Sequence, residues 1–70
     1  MQKITIKTVQ EGSLFTSYLL DYNTKEALKI DLVRASRLWG KLTQATKSKA
    51  RTVARRIAID LDLDIVGDSL

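Results

Sequence analysis

The sequence predicts an α+β fold: a three-stranded antiparallel β-meander followed by one bent helix or two, with room for a short C-terminal strand. Three observations carry this expectation. Apolar and polar residues alternate along KITIKTV and again along ALKIDL, as they do along half-buried strands. From Asp31 onward, Trp39, Leu42, Thr46, Ala50, Val53, Ile57 and Leu61 recur every three or four residues, as on one face of a helix. No low-complexity linker or internal repeat divides the 70 residues, so they form one small domain. Within it, residues 1–32 make the sheet, 33–61 a basic helical region and 62–70 an acidic tail.

KITIKTV opens the chain with Ile4 and Ile6 set between Lys3, Thr5 and Lys7, and its β-branched residues suit a strand. Gln10-Glu11-Gly12-Ser13 is a turn signal because Gly12 tolerates positive φ. LFTSYLLDY then restores the β-branched and aromatic character of a second strand. A further turn at 22–26 leads into ALKIDL, where Leu28, Ile30 and Leu32 alternate with Lys29 and Asp31, which predicts the third strand. Asp31 is also placed to cap a first helix running to about Lys41, since its carboxylate can accept from an unpaired N-terminal N–H. Gly40 with Thr43, Thr46 and Ser48 marks a break before a second helix over about 47–61. Beyond it, 57–65 alternates while also continuing the helical spacing. Asp is unfavourable at a helix C-terminus, so the helix is expected to stop near Leu61 and 62–66 to run extended, with leucines inward and aspartates outward.

A chain this short buries only roughly 60% of the surface it exposes when unfolded, so its core is thin. Without Cys or His it has no disulfide, no thiolate metal site and no imidazole base. Stability must then come from packing or from a second chain, and a homo-oligomer or a partner-bound module is expected. Hydrophobic residues at 44% and charged residues at 29% give a globular rather than a disordered composition. No apolar run approaches the ~20 residues of a membrane span, and MQKITIKTV is not an apolar leader, so a cytoplasmic protein is expected.

The formal charge of +4 conceals a strongly uneven layout. Residues 1–32 hold four Lys and four acids and sum to zero. Residues 33–59 hold eight cations and no acid: Arg34, Arg37, Lys41, Lys47, Lys49, Arg51, Arg55 and Arg56. Residues 60–70 hold four Asp and no base. A soluble helix commonly mixes signs, because Glu and Lys four residues apart support it. The unbroken basic segment therefore points to a surface for a phosphate backbone, though a solvated basic helix is the plainer alternative.

The order of three strands followed by a helix resembles that of integrase arm-binding domains and plant AP2-type domains, in element order only. The resemblance implies a sheet lying in the DNA major groove, and so offers a second surface made of Lys3, Lys7, Lys25 and Lys29. Trp39 at helical spacing with Leu38 and Leu42 reads as core before it reads as a base-stacking platform. Phe15, Tyr18 and Tyr22 read as sheet packing.

DLDLDIVGD starts like a calcium loop, but Ile65 stands where the loop needs Gly and the twelfth position falls beyond Leu70. On a strand its aspartates would share one solvated face. Ser, Thr and Lys side chains have no His or Cys to activate them, so no catalytic residue, metal or cofactor is expected, and the chain does not read as an enzyme. A membrane-surface role is disfavoured by the acidic tail. The expected partner is nucleic acid, with DNA ahead of RNA, bound by a regulatory or accessory protein. The alternative is a protein-interaction module, a homo-oligomer, small subunit or inhibitor, whose basic helix docks an acidic partner.

Overall fold

The computed structural model describes residues 2–67. Strand β1 (Lys3–Glu11) and strand β2 (Leu14–Asp21) form an antiparallel hairpin in the register Ile6↔Leu19, Thr8↔Ser17 and Glu11↔Leu14. Gly12 closes it with φ +67°, the left-handed conformation wanted at the first central position of a type II′ hairpin turn. Helix α1 (Leu32–Trp39), a two-residue strand β3 (Thr43–Gln44), helix α2 (Lys47–Asp60) and strand β4 (Asp64–Gly67) follow. Among the described residues the strands make one mixed sheet in the order β3-β2-β1-β4, with β4 parallel to β1 and the other pairs antiparallel.

Both helices start where side-chain oxygens stand ready to cap them. Asp31 Oδ1 accepts from Arg34 N–H at 3.1 Å, and Thr46 Oγ1 accepts from Lys49 N–H at 3.2 Å. Gly40, at φ +104°, ends α1 and separates the two helices, settling the choice left open between one bent helix and two. The end of α2 is a Schellman closure. Asp62 takes φ +58°, its N–H donates to Ile59 C=O at 3.1 Å, and Leu63 N–H donates to Ala58 C=O at 2.8 Å. The chain thereby turns off the helix axis, and Asp64 N–H donates to Gln2 C=O at 2.9 Å as β4 joins β1.

One sheet face carries the core. Ile4 and Ile6 of β1 and Leu19 of β2 meet Ala35 of α1 and Val53, Ala54, Ile57 and Ala58 of α2. Ala50, Ala54 and Ala58 are all completely buried, and their small side chains, four residues apart, let α2 lie close on the hairpin. Leu63 and Ile65 pack against this cluster as the alternation of the tail predicts, whereas Leu61 is exposed. The buried hydroxyls are paired: Thr8 with Ser17 at 2.8 Å, and Thr5 Oγ1 with Gly67 C=O at 3.0 Å. A Cβ on Gly67 would come within 2.8 Å of Thr5 Oγ1, so this glycine permits the close approach of β4.

The strand count and order correct the expected meander. ALKIDL is not a strand; it touches β2 through one bridge, Leu20↔Ala27, and one bond from Leu28 N–H to Leu19 C=O at 2.9 Å. Leu28 and Ile30 do pack inward while Lys29 stays exposed. Alternation reports one-sided burial, and an extended chain leaving a sheet edge satisfies it without a ladder. The helix-capping role of Asp31 ends the extended run, and β3 takes the outer position instead. The element order that resembled arm-binding and AP2-type domains is therefore not the one observed. Thr5, on the sheet face opposite Ile4 and Ile6, is nonetheless buried beneath Gly67, and Lys29 lies outside the sheet. Thr46, expected in the apolar stripe, is instead the exposed cap of α2.

Candidate nucleic-acid interface

The buried stripe of α2 determines where its cations go. With Ala50, Val53, Ala54, Ile57 and Ala58 turned to the sheet, Lys47, Arg51 and Arg55 form one flank at four-residue spacing, and Lys49 and Arg56 the other. Ser48 and Thr52 lie between, tied by a bond from Thr52 Oγ1 to Ser48 C=O at 2.9 Å. Lys47, Lys49, Arg55 and Arg56 are exposed and Arg51 is half-buried. Arg51 and Arg55 already have partners within the protein.

α1 divides its two arginines. Arg34 borders a groove with Leu38, Asp60 and Leu61, next to an acid. Arg37 and Lys41 instead border a cavity beside β2. The eight predicted residues therefore share the helical half without sharing one surface. Asp60, four residues after Arg56, places an acid on the Lys49–Arg56 flank, whereas among the described residues the Arg37–Lys41 cavity borders no acid and the Arg34 groove does.

The second predicted surface is scattered. Lys3 and Lys7 lie exposed on β1, but Lys3 is paired in register with Asp64 of β4. Lys25 sits in the turn after β2 at φ +63°, its ammonium 4.3 Å from the centre of the Tyr22 ring, and Lys29 lies in the connection to α1. On the same sheet face Tyr18 donates its hydroxyl to Glu11 at 3.1 Å; this bond and the Glu11 charge raise the Tyr18 pKa. Mixed charge makes this face a poor phosphate track.

Trp39 is half-buried against the core and its Nε1 is buried without a partner among the described residues, which fits its reading as core. The aspartates of the acidic tail do not share a strand face as expected. Asp60 ends α2, Asp62 occupies the left-handed closure and Asp64 belongs to β4, while Asp68 lies outside the described residues. Among the described residues no three acids converge as a metal site, and no helix is long and apolar enough to cross a membrane.

The cavity beside β2 was not legible in the sequence. Its lining joins β2, the 27–30 connection, α1 and the approach to β3, which no local spacing relates. Comparison with family models, curated proteins and solved structures finds no match to this chain.

Proposed function

We propose that the chain binds nucleic acid, DNA ahead of RNA, through the outer surface of its helices, as a regulatory or accessory factor without enzymatic activity. The charge order of α2 carries this reading. Its first turn holds Lys47 and Lys49 and no acid, and its last turn holds Asp60 and no base. Both ends thus oppose the helix dipole, which favours acids at the start and cations at the end. A helix selected only for stability would reverse this order, whereas phosphates placed near the first turns meet both the lysines and the positive end of the dipole.

Phosphate contacts would provide affinity and orientation, and sequence preference would need another surface or a second copy. Five contacts on duplex DNA give a salt slope of about −4.5, a fall in affinity of roughly 500-fold between about 50 and 200 mM salt. Anisotropy titrations with labelled duplex and single-stranded oligonucleotides at those salts test this. Lys47→Gln/Lys49→Gln is expected to reduce the slope by about 1.8. Binding weaker than about 1 mM at low salt refutes the reading, since non-specific binders reach about 10⁻⁴ to 10⁻⁶ M.

A protein partner is the second reading, favoured by exposed Val33, Leu38, Ile59 and Leu61 on the same helical half. Apolar residues among cations suit an acidic partner protein or a second copy of the chain. Light scattering behind size exclusion separates the two: a monomer over the whole concentration range eliminates self-association.

A further inference from the structure

A cavity of about 730 Å³ lies between α1 and the outer edge of β2. The chain reaches that edge twice, once before α1 and once after it. Leu28 N–H donates to Leu19 C=O at 2.9 Å, and Ser17 N–H donates to Leu42 C=O at 3.0 Å. α1 lies between these two attachments in the chain, and the cavity opens beneath it. Leu19, Leu28, Ile30, Ala35, Leu42 and Ile57 supply apolar lining. Arg37 and Lys41 also line it and are exposed, so they stand at its mouth, and among the described residues no Asp or Glu borders it.

The space is open to solvent on one side, and its largely apolar lining favours an occupant with an apolar body. Its volume is that of small-molecule sites, about 300–1,000 Å³. The charge at its mouth selects the occupant. Two cations without an acid disfavour a cationic or neutral head and favour an anion, with the Arg37 guanidinium suited to a carboxylate.

We propose that this cavity binds a small amphiphilic monocarboxylate of the medium-chain fatty-acid class. Its hydrocarbon lies against Leu19, Leu28, Ile30 and Leu42, and its carboxylate is held at Arg37 and Lys41. The site stands independently of nucleic-acid binding and shares only those two cations with it.

Isotope-labelled protein is titrated with decanoate, decanol and decylammonium while backbone amide shifts are followed. Wild type is compared with Arg37→Gln/Lys41→Gln, whose exposed positions leave the core intact, as circular dichroism verifies. Decanoate is expected to move the amides of Leu19, Leu28, Ala35 and Leu42, and to bind the variant about tenfold or more weakly, with decanol unchanged. No saturable shift up to about 1 mM decanoate overturns the proposal. So does decylammonium binding as tightly as decanoate, or shifts confined to Leu38, Ile59 and Leu61. A variant that loses DNA affinity but keeps that for decanoate overturns this site and leaves the nucleic-acid reading standing.

Discussion

The hydroxyl pair of Thr8 and Ser17 gives the sharpest test of how this thin core is held. The two residues face each other across β1 and β2 with their oxygens 2.8 Å apart; Ser17 is 0% exposed and Thr8 7%. Thr8→Val keeps the shape and strips Ser17 of this partner in a place water does not reach, which costs about 1–3 kcal/mol. Ser17→Ala leaves the Thr8 hydroxyl slightly accessible, so its cost falls toward the lower end of that range. Replacing both removes the pair without leaving an orphan, and the net worth of such a bond is only about 0.5–1.5 kcal/mol. The double variant is therefore expected to lose less than the sum of the singles, with a coupling of about 1–2 kcal/mol. A domain of this size has a total stability of about 4–10 kcal/mol, and each 1 kcal/mol moves Tm by about 4–8 °C, so the effect is measurable. Urea unfolding of the four proteins, followed by Trp39 fluorescence and far-ultraviolet dichroism, closes the cycle. Additivity within about 0.5 kcal/mol, or a neutral Thr8→Val, refutes the reasoning.

Asp62 occupies a left-handed position that glycine fills without steric cost and also adds negative charge beside a helix C-terminus. Asp62→Gly is expected to stabilise the fold by about 1 kcal/mol, seen as a rise in Tm of about 4–8 °C; a fall would show that the carboxylate makes a compensating contact. Asp21 accepts from the backbone N–H of Thr24, the side chain of Gln2 and the N–H of Asn23, and these bonds lower its pKa. Its contribution to stability is therefore present above the unfolded value of about 3.9 and is lost as pH falls through the lower folded value. Thermal melts of wild type and Asp21→Asn are expected to differ near neutrality and converge in acid, and parallel curves would show that the turn does not depend on this charge.

Much of the fold was legible because local chemistry decides it. Gly12 needs positive φ at the hairpin, Asp31 carries a capping oxygen, and Ala50, Val53 and Ile57 repeat at helical spacing, whereas Thr46, placed in that stripe by its spacing, caps α2 instead. The failure at ALKIDL has an equally specific cause. Leu28 and Ile30 point inward as their alternation requires, but pairing with β2 is a tertiary matter that side-chain period does not encode. The two-residue β3 that pairs beside β2 instead is too short to show any period.

The basic segment was visible as composition, and composition does not say which cations share a surface. Arg34 and Arg37 are three residues apart and neighbours on one short helix, yet one borders a groove with Asp60 and the other an apolar cavity. The sequence by itself determined the hairpin, the Asp31 cap, Ala50, Val53 and Ile57 of the α2 stripe, and the neutral, basic and acidic segments, since each depends on neighbours within a few residues. Only the tertiary structure decided that β4 lies parallel beside β1, that Thr5 is buried under Gly67, and that Arg37 and Lys41 stand over a cavity. Those features depend on contacts between distant segments, and where such segments meet is determined by how α2 covers the hairpin.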